Sequence, residues 1–323
     1  MKDKPTCYDV RGAIPELYSG VPTFMGLPKI DEEQIMDQDI VVMGAPWEGI
    51  CTTGSFTGCE LAPKTIRRAS LRYGGYLPEY DYDIFDHASA GDFGDSSYCS
   101  GDIAGTLDSI EKKADAIFSR GKKVLCFGGD HSISIPMLRS LCKNTAGKVG
   151  VVHFDAHLDN MPSYLGKDEY ARCCPMHRAY EMDKIKNLAH VGIRGPRNNY
   201  KGLEHVREHG AKMISSFDVH RRGIADVFSE LKEFVWNGVD SVYITICSDV
   251  LDVCENPGGP ADFAGLTSYQ LLSLLRDLAS EGISGMDFVE IYPPQDPNGV
   301  SSHMAAWAGI YGMNGMAASI KKS

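Results

Sequence analysis

Three apolar runs in this chain each stop at a cluster of acidic and histidine residues, and that repeated arrangement limits the folds open to it. Residues 124–127 lead into Gly128-Gly129-Asp130-His131-Ser132. Residues 149–154 lead into Asp155-Ala156-His157-Leu158-Asp159, and residues 242–246 into Cys247-Ser248-Asp249-Val250-Leu251-Asp252. Runs of this length and β-branched content read as buried strands. Polar residues at the tips of such strands converge on one crevice in an open parallel sheet. Two imidazoles and several carboxylates meeting there point to a two-metal site and metal-assisted hydrolysis.

Between these runs the pattern alternates. Residues 39–43 read as a strand, and Pro63 to Tyr73 as a helix that stops before Gly74-Gly75. Asp102 is an N-cap candidate for a helix to Arg120, with Ile103, Leu107, Ile110, Ala114 and Ile117 at helical spacing. Phe228, Leu231, Val235 and Trp236 suggest another helix. Thr267 and Gln270 form a capping-box pattern before a leucine-rich one. Residues 286–289 read as a late strand with Glu290 at its tip, and a last helix starts near Ser301. This alternation predicts an α/β fold with a mainly parallel sheet covered on both faces. No repeat or composition break divides the chain, so one domain over residues 1–323 is expected, with residues 1–35 as an N-terminal extension.

Composition adds exclusions. Hydrophobic residues make up 43% and charged residues 23%, which is ordinary for a globular protein. A formal charge of −11 argues against binding nucleic acid or an anionic membrane. The N-terminus carries no hydrophobic signal region, and no apolar run is long enough to span a bilayer. The ten cysteines follow neither a zinc-ribbon nor a secreted spacing, so reduced thiols in a cytoplasm are expected. The adjacent pair Cys173-Cys174 reads as a loop feature, with soft-metal binding or oxidation as the sharper alternative.

The chemistry rests on a few residues. In extended geometry Asp155, His157 and Asp159 would point to one side as a chelating comb suited to divalent first-row metals. The alternative is a loop in which Asp caps a helix and His fills a gap. His131 follows two glycines that permit a tight strand-to-helix turn; alone it reads as structural, and beside the comb as a ligand. Asp249 shares a face with Cys247, whereas Asp252 lies farther on and reads as a loop brace. By position alone, Glu290 reads as a solvated charge or a brace.

Taken together, Gly-Gly-Asp-His-Ser at 128–132, Asp-Ala-His-Leu-Asp at 155–159, Val-Gly-Ile-Arg-Gly at 191–195 and Asp-Phe-Val-Glu at 287–290 resemble the ureohydrolases, the arginase and agmatinase family. The stretch at 62–67 and Asp92-Phe93-Gly94-Asp95 look like the agmatinase branch. The resemblance implies a three-layer α/β/α domain assembled as a trimer or hexamer, with two divalent metal ions, manganese first. It implies that His131 and Asp159 bind one metal, His157 and Asp249 the other, and that Asp155 bridges. It further implies that activated water attacks a guanidinium carbon to release urea and an amine, with Glu290 facing the substrate's guanidinium.

Two positions depart from that pattern. Cys247 stands where the family carries a bridging aspartate. A thiolate there keeps the negative charge but shifts preference toward zinc, iron or nickel, and a neutral thiol leaves a weaker, mononuclear site. Val253 also replaces a proline of the same motif. Arg172 stands where the family has a proton-shuttling histidine, and an arginine cannot shuttle protons near neutral pH. Its fixed charge repels a guanidinium and is suited to a substrate anion. His177 is the nearby candidate to take over the shuttle. The expected function is agmatinase-like hydrolysis of a guanidino or amidino C–N bond. The alternatives are a catalytically degraded subunit supporting an active paralogue, or a metal- or ligand-binding protein without turnover.

Overall fold

The computed structural model describes residues 20–50, 52, 56–99 and 101–320; residues 1–19 of the expected extension lie outside the described residues. The strands are β1 (Ile40–Ala45), β2 (Tyr76–Leu77), β3 (Tyr82–Asp83), β4 (Ala90–Asp95), β5 (Lys123–Gly128), β6 (Val149–Phe154), β7 (Ile185–Ile193), β8 (Lys212–Ser215), β9 (Ser241–Cys247) and β10 (Gly285–Val289). Eight of them form one sheet in the order β4-β1-β5-β10-β9-β6-β7-β8. Every pairing in it is parallel. The short β2 and β3 make a separate antiparallel pair.

Side chains alternate across the strands and feed two cores. Ile40, Val42, Leu125, Phe127, Val152, Ile244 and Met286 enter one. Their neighbours Val41, Met43, Val124, Cys126, Val151 and Tyr243 enter the other. A strand buried on both faces must be apolar at consecutive positions, which explains the unbroken runs in the sequence. The first core is covered by α1 (Ala62–Ser70), α7 (Ile224–Val235), α8 (Ser268–Ser280) and α9 (Val300–Ile320). The second is covered by α2 (Ile103–Phe118), α3 (Ser134–Asn144) and α4 (Pro175–Tyr180). The remaining helices are α5 (Tyr200–Glu208) and α6 (Ser216–Arg222). Helix, sheet and helix make the three expected layers.

Local signals act as the sequence suggests. Asp102 accepts a hydrogen bond from the Gly105 N–H and caps α2. Both bonds of the Thr267–Gln270 capping box form at α8. The strand β4, Ala-Gly-Asp-Phe-Gly-Asp, carries no β-branched residue, and sequence reasoning did not find it. It is held from outside: Arg67 on α1 grips Asp92 through Nε at 2.7 Å and Nη2 at 2.9 Å. Part of the expected N-terminal extension belongs to the core. Phe24, Met25 and Ile35 are buried, and the Phe24 ring lies 4.8 Å from that of Phe127. No helix among the described residues is long and apolar enough to cross a membrane.

Candidate metal centre

β5, β10, β9 and β6 are neighbours at the middle of the sheet, and their carboxyl ends open on the same side. His131 follows β5, Asp155 follows β6, Cys247 closes β9 and Glu290 follows β10. The chain reaches this place from both halves of the sheet, at the switch in strand order where open α/β sheets form their crevices. Gly129 makes the His131 turn possible, because a Cβ there would sit 1.8 Å from the Trp47 carbonyl oxygen.

Asp155 is fully buried and divides its two oxygens between two imidazoles. Its Oδ2 lies 3.0 Å from His131 Nδ1, and its Oδ1 3.3 Å from His157 Nδ1. Asp159 Oδ2 lies 3.1 Å from His131 Nδ1, and Asp249 Oδ2 3.1 Å from His157 Nδ1. Two ligand sets result, His131–Asp155–Asp159 and Asp155–His157–Asp249, sharing Asp155. His153 also falls within the first set.

Hydrogen-bond logic shows what this arrangement suits. Thr245 and Ser134 spend their hydroxyl protons on Asp287, at 2.7 and 2.9 Å. Thr245 Oγ1, 2.9 Å from His131 Nε2, therefore accepts from that ring nitrogen. The lone pair on His131 Nδ1 is left facing two carboxylates, and this buried atom makes no hydrogen bond of good geometry among the described residues. An acceptor aimed at acceptors requires a cation between them. Without a metal that cation is a proton: burial lowers the His131 pKa, but Asp155 and Asp159 more than offset this and hold it well above the usual range. His157 is likewise raised, against the effect of burial, chiefly by Asp249 and Asp155. The residues fit a pair of divalent ions bound through oxygen and imidazole nitrogen.

A second layer orients these donors. Asp155 can only accept, so His153 donates to it from Nε2 at 3.1 Å. His153 Nδ1 must then accept from His190 Nδ1 at 2.8 Å, and His190 Nε2 from the Tyr180 hydroxyl at 2.7 Å. His153 is thereby an orienting group for Asp155 in the manner typical of metal sites. Asp249 is fixed by the Ala156 N–H at 3.0 Å. Arg194, from the Val-Gly-Ile-Arg-Gly run, donates Nη2 to the carbonyls of Asp249 at 2.7 Å and Leu251 at 3.0 Å, pinning the loop that carries Asp249.

Beside the ligand sets lies a cavity of about 210 Å³, lined among others by His157, Asp159, Arg172, Arg197, Cys247 and Glu290. Glu290 is buried and takes φ 64°, a left-handed conformation that is costly outside glycine and typical of functional sites. Asp159, at φ 43°, shares this strain. Arg172 Nη1 lies 2.8 Å from Glu290 Oε2, and its Nη2 3.2 Å from Glu48 Oε1. Burial pushes Glu290 up to about 7, against the pull of Arg172. Burial disfavours the Arg172 charge, but Glu290 and Asp130 more than compensate and keep it protonated.

The arginase family's sequence profile matches residues 38–313. The chain belongs to the arginase family. It is 31% identical over 295 residues to an agmatinase of Sodalis glossinidius, covering 90% of this chain and 91% of that protein. It is 29% identical to a guanidinopropionase of Pseudomonas aeruginosa, covering 90% and 89%. Among solved structures, proclavaminate amidino hydrolase from Streptomyces clavuligerus superposes with a TM-score of 0.83 at 27% identity, covering 94% of this chain and 99% of that one. The chain is thus a hydrolase of the ureohydrolase type.

Several residue-level expectations need correction. Asp155, His157 and Asp159 do not form an extended comb: β6 ends at Phe154, and the triplet lies in a loop whose folding brings the donors together. Asp249 sits in a 3-10 turn after β9 rather than in extended chain with Cys247. Cys247 lines the cavity but lies outside both ligand sets. Burial first, then the surrounding carboxylates, raise its thiol well above the usual range. His177, the candidate shuttle, is on α4, 3.5 Å from Glu181 and stacked on His205 at 5.0 Å, and does not line the cavity. Arg172 does not wait for a substrate anion, because its fork is spent on Glu290 and Glu48. Asp252 is the expected brace, accepting from the Cys254 and Gly265 N–H groups. Sequence reasoning missed His153, Asp262, whose Oδ2 lies 3.4 Å from His157 Nε2, and Glu48. Of these, His153 was readable, since it stands two residues before Asp155 on an otherwise apolar strand.

Proposed function

We propose that this chain is a metal-dependent hydrolase of an amidino- or guanidino-type C–N bond in a small molecule. The observation that carries the reading is the shared carboxylate: Asp155 gives one oxygen to each of two histidine–carboxylate sets. Bound divalent ions would be held by His131, Asp155 and Asp159 on one side and by Asp155, His157 and Asp249 on the other. When present they supply Lewis-acid activation of water at neutral pH. The protein's part is to aim the ligands through Thr245 and His153 and to exclude bulk water by burial. In the overall reaction water adds to the central carbon, the C–N bond breaks, and the leaving nitrogen departs as an amine with a proton. Urea is the other product from a guanidino substrate.

The donor set, one imidazole and two carboxylates per side, favours Mn²⁺ first, with Cys247 as the softer neighbour that would favour zinc, iron or nickel. The agmatinase and guanidinopropionase relatives support a guanidino compound as the first substrate class to test. We place the protein in the cytoplasm as a homo-oligomer, in keeping with the free cysteines among the described residues and with the family resemblance. The test is release of urea or amine from a panel of guanidino and amidino compounds by Mn²⁺-loaded protein. Activity that disappears with Asp155→Asn supports the reading. A second reading, a subunit silent by itself that supports an active paralogue, is favoured by Arg172 lying against Glu290. It requires that the panel be inert with this chain alone and turned over when a relative is co-expressed.

A further inference from the structure

Arg172 and its partners have the construction of a binding seat. Arg172 is 5% exposed, and its guanidinium faces Glu290 at 2.8 Å, Glu48 at 3.2 Å and Asp130 at 3.8 Å. Tyr292 donates to Glu290 Oε2 at 2.7 Å, and the His131 N–H to Glu290 Oε1 at 2.8 Å, so the carboxylate is held in place independently of the arginine. Glu48 is fixed in the same way by the Thr57 N–H at 2.8 Å and by the Gly58 N–H at 2.8 Å. Three carboxylates around one guanidinium make a cation-selective site, with Glu290 at Nη1 and Glu48 and Asp130 at Nη2. It opens on the same cavity as the ligand sets, since Arg172, Tyr292 and Glu290 line it together with His157 and Asp249.

We propose that Arg172 is an internal occupant of a guanidinium seat and thereby sets the substrate class of this pocket. While it is in place, cations that need Glu290 are turned away. The substrates that remain are those whose C–N carbon is addressed from the ligand side, without a guanidinium held on Glu290. The proposal rests on the pocket being the substrate site, but the seat itself can be tested without turnover.

The probe is guanidinium chloride at millimolar concentration, far below denaturing levels, against NaCl at equal ionic strength. Binding to the full-length protein is read by calorimetry and by thermal shift. The wild type is expected to show no saturable binding. Arg172→Ala and the longer, polar Arg172→Gln are expected to gain saturable guanidinium binding, with a Kd on the order of 1 mM. Guanidinium is also expected to recover part of the lost thermal stability, and the gain is expected to vanish in Arg172→Ala/Glu290→Gln. Variants that fold only with guanidinium present support the seat equally. Saturable wild-type binding that Glu290→Gln abolishes would overturn the proposal, as would folded Arg172 variants that gain no binding. Hydrolysis of the substrate panel is a separate readout. Because the occupied seat itself turns guanidinium cations away, the hydrolase reading fails only if the panel is inert with both the wild type and Arg172→Ala, which leaves the seat standing. Turnover by the wild type without the expected guanidinium pattern fails the seat alone.

Discussion

Asp155 meets His131, His153 and His157 from a fully buried position, and burial alone disfavours its charge. The three imidazoles outweigh burial and hold it well below the usual carboxylate range. A shared anion of this kind governs both ligand sets. Asp155→Asn keeps the shape and removes the charge; metal per chain by elemental analysis is expected to fall from about two equivalents to fewer than about one. Metal uptake must displace the protons that His131 and His157 hold in its absence. Binding is therefore expected to release protons and to strengthen as pH rises, read by titration in buffers of different ionisation enthalpy. Cys247 was the least readable residue: the sequence shows a thiol at the end of an apolar run, but its reach toward a metal depends on how β9 passes into the turn at Ser248–Val250. Cys247→Asp is expected to raise the preference for Mn²⁺ over Zn²⁺ by on the order of tenfold. An unchanged ratio would place position 247 outside the coordination sphere.

Among elements, the strand tips matter most, and their placement depends on clamps remote in sequence. Arg194 is buried and serves backbone carbonyls at 192, 249, 250, 251, 262 and 263. Arg194→Met would remove all of these bonds, leaving the Val250 and Asp262 carbonyls only the N–H groups of Leu266 and Val253, and is expected to cost about 2–4 kcal/mol in denaturant unfolding. It is also expected to weaken the Asp155–His157–Asp249 set more than the other. Equal loss at both sets would contradict a clamp specific to the Asp249 loop. The helices were legible wherever caps and periodicity coincided, as at Asp102 and Thr267. β4 was not, because its stability comes from β1 and from Arg67 rather than from its own residues. The loop conformation at 155–159 was also hidden, since strand periodicity says nothing about where a strand ends within a motif.

For the whole molecule, the parallel sheet with both faces covered was legible from the long apolar runs, and the convergence of their tips follows from parallel connection alone. Pairings such as Arg172 with Glu290, 118 residues apart, were not. Nothing local in either segment signals the partner, and from sequence Arg172 reads as a fixed cation suited to a substrate anion. Because the ligand sets tie β5, β6 and β9 together, cations bound there stabilise the folded domain by mass action. Exhaustive chelation is expected to lower Tm by roughly 8 °C for two ions each held at about a hundred times its Kd. Restoring Mn²⁺ should recover it.

The two-cation centre is tested most directly by anomalous scattering from a crystal of the metal-loaded protein, collected at the metal absorption edge. Two peaks are expected, one among His131, Asp155 and Asp159 and one among Asp155, His157 and Asp249, about 3.5–4 Å apart with Asp155 touching both. No peak in this crevice, or metal bound only elsewhere, would contradict it.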